Sequence, residues 1–298
     1  MNRKLLLGIL MVVGTIVNFK AQRHELGLKL GMSNLVGDIG RTNYILQAPY
    51  MTDKMSEYGF PFYGGLLYRF NFNPYQTIRL DVGYNQIQFS DKYAKEDYRI
   101  NRGLYGKNNL YEASLVFEYN FFPINNEQED GLVSPYIFAG IGGLMHDATK
   151  VTLEHDFKRN INGVALAPTN EEDFISTERY ESTKKFTMAV PFGVGLKYKF
   201  NYNWMIFGEV MFRPTFSDLI DYSDVLRKDV VSTFNGDIKD PLSGGSLLES
   251  GNYYLEAKER EDEFYNRRGV GNSKAKDWVN TVSLGLTYSF GRPTCYCD

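Results

Sequence analysis

The sequence predicts an all-β fold, namely an eight-stranded antiparallel transmembrane (outer-membrane) β-barrel with long extracellular loops. Three observations predict it: strand-length segments that alternate apolar and polar residues, connections that alternate in length, and a secretory leader that no spanning helix follows. A period of two gives each strand one apolar face and one polar face. Here the apolar faces are long and carry aromatic residues at their ends, as lipid-facing strands do.

The first residues indicate a secretory signal peptide over residues 1–21, followed by a single barrel domain over residues 22–298. A basic start, Met1–Lys4, precedes the apolar stretch Leu5–Val17, and cleavage is expected between Ala21 and Gln22. The stretch is too short to span a bilayer comfortably, so it is excluded from the fold, with a retained anchor as the alternative. No later run of about 18 apolar residues would form a membrane-spanning helix.

Composition agrees with a barrel and excludes some partners. The chain has 22 Tyr and 21 Phe, although its charged residues reach 23%. Many aromatics together with many polar residues suit a barrel whose inward positions are polar and whose rims are aromatic. The net charge of -3 is too small to predict a nucleic-acid partner.

Eight segments have the length and pattern of barrel strands. About ten residues at about 3.3 Å each, tilted by about 40°, cross an apolar band of about 25 Å, and every segment has at least ten. The predicted strands are His24–Ser33, Phe60–Phe72, Thr77–Phe89, Asn109–Phe121, Pro135–His146, Lys184–Phe200, Trp204–Phe216 and Trp278–Phe290.

The connections between these strands alternate in length. Asn73–Gln76 and Asn201–Asn203 are tight turns, and Phe122–Ser134 is an intermediate, acidic turn. The other four connections are long, and the last of them is Ser217–Asp277. Short turns at one end and long loops at the other are typical of bacterial outer-membrane barrels. An even strand count then places both termini at the short-turn end, which is the periplasmic one.

The polar face of the strands is predicted to line the lumen. A soluble lipocalin-like barrel shows the inverse pattern, with an apolar interior. In a barrel of eight strands the side chains fill the interior, so we expect a mutually neutralising plug and no pore. The charged residues assigned to the lumen are Arg79, Asp81, Glu112, Glu118, Lys197, Lys199, Glu209 and Arg213.

No motif supports catalysis. His24 and His146 are predicted at opposite rims of the barrel and His155 in a long loop. No Ser–His–acid spacing singles out a nucleophile, so we predict no enzyme activity, no catalytic residues and no cofactor.

The last long loop carries two groups of charges. Asp218, Asp221, Asp224 and Asp229 lack the spacing of a calcium-binding loop and are interpreted as solvated loop charges. The run Glu256–Glu263 is predicted to form a short exposed helix.

The C-terminal tail, residues 290–298, holds the only two cysteines. Cys295 and Cys297 lie one residue apart, and their diverging Cβ directions disfavour a bridge between them. Thiols in an oxidising compartment tend to find partners. An intermolecular disulfide and a strained or idle thiol pair both remain open.

Four segments spread over the chain resemble one known family. They are Gly31–Tyr44, Tyr68–Pro74, Pro135–Gly142 and the ending Tyr288–Cys297. Together they resemble the PorG-like outer-membrane barrels of the type IX secretion system, in the DUF6089 group, over essentially the whole mature chain. The Gly-Asp-x-Gly-x-Thr-Asn-Tyr piece and the Cys-x-Cys ending are the most specific. The loop Ser217–Asp277 is longer than the resemblance leads us to expect.

The resemblance implies a structural role. Such barrels are thought to tether the periplasmic ring of PorK and PorN to the outer membrane, which supports protein transport and, in some bacteria, gliding motility. On this basis we expect a non-catalytic anchor that grips the ring through its tail and its acidic turn. The alternative is an independent small barrel that acts as a solute pore or a lipid-modifying enzyme. The expected partner-binding residues are Cys295, Cys297, Glu127, Glu129 and Asp130.

Overall fold

The protein is described here by a computed structural model that covers most of the chain after the predicted signal peptide. The predicted signal peptide and the tail beyond Phe290 lie outside the described residues. The described residues are 23–41, 44–45, 60–125, 129–157, 174–234, 251–268, 270–272 and 275–290.

The described residues form ten strands and two α-helices, together with 3₁₀ turns at Asp91–Tyr93 and Arg227–Asp229. Within the described residues neither helix is long and apolar enough to cross a membrane. The helices are α1 Asp97–Arg102 and α2 Gly251–Arg268. The strands are β1 Arg23–Val36, β2 Phe62–Asn71, β3 Gln76–Ser90, β4 Tyr105–Asn120, β5 Leu132–Phe157, β6 Phe174–Ala189, β7 Phe192–Lys199, β8 Trp204–Pro214, β9 Val230–Phe234 and β10 Trp278–Phe290.

Antiparallel pairing closes the sheet into a barrel. From β4 the ring passes through β3, β2, β1, β10, β8, β7 with β6, and β5, and β5 pairs with β4 again. Because β6 and β7 occupy one place in the ring, the barrel has eight strands, as predicted. Closure leaves no free edge in the membrane-spanning part, where an unpaired backbone group would be costly.

The predicted sixth strand, Lys184–Phe200, is interrupted at one position. Ala189 pairs with Gly142 and Phe192 with Ala139, so β6 and β7 keep one continuous register along β5. Pro191 separates them because proline has no backbone N–H to donate to a ladder. Its carbonyl still accepts a hydrogen bond from Gly140 N at 2.8 Å.

The alternation of the strands divides the barrel into an apolar outside and a charged inside. On β1, Leu28 and Leu30 are 58% and 62% exposed, whereas Lys29 between them is fully buried. The same phase holds along the predicted apolar faces of β4, β6, β7 and β10. A continuous band of exposed leucine, valine, isoleucine and aromatic side chains is the surface that lipid covers in a transmembrane barrel.

The connections sort by length as predicted. The strands that are connected by residues 72–75, 121–131 and 200–203 are joined at one end of the barrel, here called the short-turn end. The strands that are connected by residues 37–61, 91–104, 158–173 and 215–277 are joined at the other, here called the long-loop end. Because His24 of β1 pairs with Phe290 of β10, the described chain begins and ends at the short-turn end.

The expected position of His155 in a long loop is wrong, because β5 and β6 extend further than predicted. Strand β5 pairs with β4 only up to Met145 but with β6 up to Phe157, so its hairpin with β6 extends beyond the barrel. His155 therefore lies in a strand and is buried, not in a loop. Loop and strand are hard to separate here from sequence because the extension is polar on its exposed face.

The charge run Glu256–Glu263 is part of a longer helix than predicted. Helix α2 has 18 residues and lies against the hairpin extension, where β9 adds a parallel strand beside Val151–His155. Ala257 and Phe264 are buried. They are seven residues apart, which places them on one face after two turns. The helix is therefore docked on the hairpin extension and only its outer face is solvated.

Candidate functional site

The middle of the lumen is filled by charged side chains of both signs. Five are acidic and five are basic, so their formal charges cancel, and none is more than 6% exposed. The sequence analysis identified seven of them; Glu25, Lys29 and Arg69 were missed, although they occupy the inward phase of β1 and β2. The ten residues are Glu25, Lys29, Arg69, Arg79, Asp81, Glu112, Glu118, Lys197, Glu209 and Arg213.

Glu118 is the most heavily paired carboxylate of this network. Its oxygens accept from Arg69 Nε at 3.1 Å and from Arg79 Nη1 at 2.6 Å. Lys197 Nζ donates to it at 2.6 Å and to Asn120 Oδ1 at 2.9 Å. Three cations from three strands therefore converge on one carboxylate.

Glu209 and Asp81 form a second centre beside it. Lys29 Nζ lies 3.1 Å from Glu209 and 3.0 Å from Asp81. Arg79 contacts both acids, at 2.7 Å and 2.8 Å, and so links this centre to Glu118. Tyr136 donates its hydroxyl to Glu209 at 2.7 Å. Because each ion has partners on several strands, the network cross-links the barrel wall.

A third pair lies on another part of the inner wall. Arg213 forms an ion pair with Glu112 and donates to Thr281 Oγ1 at 3.1 Å. Asn85 bridges the pair, because it donates to Glu112 at 3.0 Å and accepts from Arg213 at 3.3 Å. The predicted lumen charge Lys199 is buried as well, but it lies at the short-turn end and outside the set of ten, with its Nζ 5.6 Å from the ring centre of Tyr202.

Aromatic rings occupy the space that the ions leave. The guanidinium of Arg69 lies 4.3 Å from the ring centre of Phe207, and that of Arg79 lies 4.8 Å from the ring centre of Phe138. Such cation–π contacts favour desolvated cations. Charges and rings together make the lumen a packed interior, which suits a rigid body and opposes a water-filled passage.

The short-turn end is closed by its own turn. Ile124 and Asn125 are buried beneath the barrel. Asn125 donates to Thr77 Oγ1 at 3.0 Å and accepts from Asn120 Nδ2 at 3.0 Å. The turn ends at Gly131, whose φ of +77° favours glycine and whose N–H donates to Lys199 O at 2.8 Å.

Two predicted partner-binding residues lie on this surface. Glu129 and Asp130 are both exposed at the short-turn end. Glu127, Cys295 and Cys297 lie outside the described residues. Since the described chain reaches Phe290 at the same end, the tail and the acidic turn both start from the short-turn surface.

The long-loop end is closed by a segment that we call the mouth plug, Thr215–Ser223. Its Ile220 is fully buried, and the carbonyl of Ile220 accepts from Asn108 Nδ2 at 2.8 Å. The plug thus caps the lumen with an apolar layer above the charged network. This layer consists of Leu35, Ile39, Ile87, Phe89, Leu110, Leu144, Ala189, Ile220 and Val279.

Four aspartates, which we call the mouth cluster, lie in the plug or beside it: Asp218 and Asp221 in the plug, and Asp38 and Asp277 beside it. Asp38, Asp218, Asp221 and Asp277 are only 8%, 5%, 0% and 0% exposed, respectively. The interpretation of Asp218 and Asp221 as solvated loop charges is therefore wrong. The cluster was missed because its members are distant in sequence, with Asp38 in the β1–β2 connection and the others at the two ends of the connection 215–277. Its one sequence signal was Asp38 in the Gly-Asp-x-Gly piece.

Burial and mutual repulsion change the acidity of these carboxyls. Burial, followed by the charge of Asp38, raises the pKa of Asp218 to about 7. Burial and the charge of Asp221 raise the pKa of Asp277 well above its ordinary range. The pKa of Asp221 is also raised, mainly by burial. Each shift favours the neutral carboxyl, because a buried charge without a counterion is costly.

Of the three histidines, His24 lies on β1, whereas His146 and His155 both lie on β5. His24 stands at the short-turn start of β1, as predicted, and its Nδ1 lies 2.6 Å from Tyr68 Oη. His155 Nδ1 lies 2.8 Å from Ser176 Oγ, and burial followed by the charge of Arg260 lowers the pKa of His155 to about 4. Within the described residues no three His, Cys, Asp or Glu side chains are grouped to hold a metal ion.

His146 makes the contact that most resembles a catalytic pair. Its Nε2 lies 3.3 Å from Ser217 Oγ, and its Nδ1 lies 3.0 Å from the backbone carbonyl of Asp147. Both side chains are buried beneath the mouth plug, and Ser217 Oγ also accepts from Leu219 N at 3.2 Å. The geometry is that of a structural hydrogen bond within the plug.

Comparisons with known proteins give one family match and a set of similar folds. A family model described as "Domain of unknown function (DUF6089)" matches residues 3–169, which is more than half of the chain. No curated protein matches the sequence.

Several solved structures align with most of the chain. Ail of Yersinia pestis, in complex with the heparin analogue sucrose octasulfate, is 14% identical, with a TM-score of 0.37 and coverage of 91% of this chain and 99% of Ail. Neisserial surface protein A is 9% identical, with a TM-score of 0.38 and coverage of 90% and 97%. OprG of Pseudomonas aeruginosa is 10% identical, with a TM-score of 0.35 and coverage of 92% and 98%.

Proposed function

This chain belongs to the DUF6089 family, and from that membership, its filled barrel and the resemblance of its motifs we propose a structural role in secretion. The protein is a non-catalytic outer-membrane component of the type IX protein secretion machinery. It anchors the periplasmic ring of PorK and PorN to the outer membrane and thereby supports protein transport and, where present, gliding motility.

The packed, charge-balanced lumen is the observation that carries the proposal. Ten buried ions tie the strands together across the interior. A barrel without an open passage acts through its ends and its position in the membrane. A solute pore is disfavoured because Arg69, Arg79, Lys29 and Lys197 are fully buried where water would have to pass.

The short-turn end is the surface that we assign to the ring. In this proposal it faces the periplasm, which places both termini there. Glu129 and Asp130 are exposed, and Ile124 and Asn125 of the same turn are buried beneath the barrel. An acidic surface suits a basic patch on a partner, because complementary charge steers docking. Glu127 belongs to the same acidic turn.

The tail supplies the covalent part of the proposal. Cys295 and Cys297 follow Phe290 by five and seven residues, and β10 delivers Phe290 to the short-turn end. One of these thiols forms an intermolecular disulfide with a ring subunit. The step joins two thiols and releases two protons and two electrons, which the oxidising machinery of the periplasm accepts.

The first experiment is a non-reducing gel of outer membranes that contain the tagged protein, beside a Cys295→Ser, Cys297→Ser double variant. We expect a heavier band that disappears with reductant and is absent in the double variant, and mass spectrometry of that band identifies the partner. A single band at barrel size in both lanes removes the disulfide from the proposal.

A second experiment tests the anchoring role itself. Deletion of the gene is expected to abolish ring assembly and cargo secretion. For the contact surface, Glu129→Lys with Asp130→Lys is expected to weaken capture of the ring, while Glu259→Lys, an exposed acid on α2 at the opposite end, leaves capture unchanged. Normal ring assembly and secretion in the deletion strain would overturn the function.

A further inference from the structure

The mouth cluster contains buried oxygens that accept no hydrogen bond. They are Asp218 Oδ2 and Asp277 Oδ1. A Cβ atom added to Gly37 would lie 2.5 Å from Asp277 Oδ1 and 2.6 Å from Asp221 Oδ2. The two carboxylates therefore face each other closely across Gly37. Two buried carboxylates at such a separation cannot both be ionised without a large cost.

Among the described residues, no Lys, Arg or His side chain forms an ion pair with the cluster. Arg99 faces it from α1 but donates to the carbonyls of Gly37 and Gly40, at 3.3 Å and 2.8 Å. Arg102 donates to the carbonyl of Asp38 at 2.8 Å and pairs with Asp91. The α1 cations thus hold the backbone of the loop.

Two further charged side chains near Asp218 have opposite signs and opposite effects on its carboxyl. Asp224 adds a further negative charge near Asp218, and Lys276 opposes it in part. His146, which faces the plug from β5, contacts Ser217 and no carboxylate of the cluster. The charge of the cluster therefore stays strongly negative unless some of its carboxyls are protonated.

The cluster joins the β1–β2 connection to both ends of the connection 215–277. Ile39 N donates to Asp221 Oδ2 at 2.9 Å, and Ile220 N donates to Asp277 Oδ2 at 2.9 Å. Asn272 N donates to Asp38 Oδ2 at 2.8 Å. Each bond joins two segments that are distant in sequence, so repulsion within the cluster acts on the contacts that seat the mouth plug.

The backbone of the plug is itself strained. Tyr222 has a φ of +61°, a left-handed conformation that side chains other than glycine rarely adopt. The conformation is held on one side by Ser223 N, which donates to Asp221 Oδ1 at 2.9 Å, and on the other by the contact of the Tyr222 ring with Phe89. A strained segment is released readily once its restraints weaken.

We propose that the mouth plug is a proton-dependent latch, in which protons held by Asp218, Asp221 and Asp277 keep residues 215–223 seated in the long-loop end. Loss of these protons to solvent leaves several charges buried together, breaks the loop-to-loop contacts and lifts Ile220 out of the apolar layer. The seated state therefore binds more protons than the released state.

The direction of the pH effect follows from this difference. Asp218 has a pKa of about 7 in the seated plug against an ordinary value of 3.8 in the released one. Between pH 3.8 and about pH 7, the proton of Asp218 then makes the equilibrium constant for plug release rise by up to about tenfold per pH unit. The pKa of Asp277 is raised in the same direction, by burial and by the charge of Asp221, so its proton adds to the rise of release with pH.

A tryptophan at the latch allows a direct test on the full chain in lipid vesicles. The chain has two tryptophans, Trp204 and Trp278. Trp278 follows Asp277 directly, and its ring lies 5.6 Å from that of Tyr44 in the β1–β2 connection. In a Trp204→Phe background Trp278 is the single reporter. Its emission is expected to shift between pH 5 and pH 9 as the plug is released.

Matched variants separate the latch from a general effect of pH. Asp277→Asn keeps an acceptor for Ile220 N and turns an NH₂ group toward Asp221, so at pH 9 we expect release to fall at least about tenfold. Asp218→Asn is a second variant with the same expected direction. Asp130→Asn, an exposed carboxyl at the short-turn end, is expected to titrate like the parent.

Limited proteolysis at pH 9 is the second readout. The parent should be cut within residues 215–224, and both asparagine variants of the cluster should resist. An emission and a cleavage pattern of the parent that do not change with pH, or that change in Asp277→Asn and Asp218→Asn as much as in the parent, would overturn the latch. So would reseating of the parent plug at pH 9 by millimolar Ca²⁺, because the missing positive charge would then be a metal ion.

Discussion

Removal of the Glu118 carboxylate is expected to destabilise the barrel from inside. Glu118→Gln keeps the volume of the side chain but removes the negative charge that pairs with Arg69, Arg79 and Lys197 at 3.1, 2.6 and 2.6 Å. All four side chains are fully buried. The balanced set of ten ions then carries one uncompensated positive charge in a site from which water is excluded.

The expected loss follows from the number of broken contacts. Removing one partner of a buried ion pair costs about 3–5 kcal/mol. The carbonyl of the introduced glutamine still accepts one hydrogen bond, which offsets about 1 kcal/mol. We therefore expect the free energy of unfolding to fall by about 2–4 kcal/mol. The change is large compared with the few tenths of a kcal/mol that exposed substitutions usually cause.

Urea titration of the chain folded into vesicles measures this loss, with tryptophan fluorescence and the mobility of unboiled samples in SDS gels as readouts. Glu129→Gln removes an exposed carboxylate and is the matched control, expected within about 0.5 kcal/mol of the parent. Adding Lys197→Met to Glu118→Gln restores neutrality and should recover at least half of the loss.

Two results would refute this reasoning. A loss below about 1 kcal/mol for Glu118→Gln would mean that the lumen is hydrated enough to screen the cations. A double variant whose loss equals the sum of the single losses would mean that the charges do not neutralise each other.

Three further predictions concern other parts of the chain. Leu284 lies at the middle of β10 and is 67% exposed. Its substitution by Arg is expected to lower the free energy of unfolding in the urea titration by about 2–4 kcal/mol, because lipid covers that position; an unchanged midpoint would contradict a membrane location. Gly140→Val should prevent folding judged by gel mobility, since its Cβ would lie 2.1 Å from the carbonyl oxygen of Leu115, whereas Gly131→Asn, at an exposed turn with a φ of +77°, should be tolerated. Because the pKa of His155 is lowered to about 4, its contribution to stability is present above pH 6.5 and is lost as the pH falls toward 4; the protection of amides in α2 and the hairpin extension against hydrogen exchange, relative to the intrinsic rate at each pH, should decrease accordingly in the parent but not in His155→Gln.

The closed barrel could be predicted from sequence because its signal is local. A strand with a period of two shows its lipid face and its lumen face within about ten residues, whatever its neighbours are. Arg79, Glu118 and Glu209 were therefore assigned to the lumen correctly. The order of the ring followed from short turns, since consecutive antiparallel strands pair through them.

The predictions from sequence were wrong at residues whose burial depends on segments distant in the chain. Asp218 and Asp221 look like loop charges in sequence, and they are buried only because the loops that contain Asp38 and Asp277 close over them. Helix α2 shows the same dependence, since Phe264 has a surface to cover only when the hairpin extension stands beside it.

By itself the sequence determined the class of fold, the number of strands in the ring, which face of each strand is apolar, and that the described chain begins and ends at the short-turn end. These properties depend on side-chain alternation and connection length, which are local. Only the tertiary structure decided which ions pair across the lumen, that residues 215–223 plug one end, and that four aspartates meet there. The long-range hydrogen bonds of the mouth cluster join residues that are between 57 and 234 positions apart. A local sequence pattern does not determine which distant charges meet when the sheet closes.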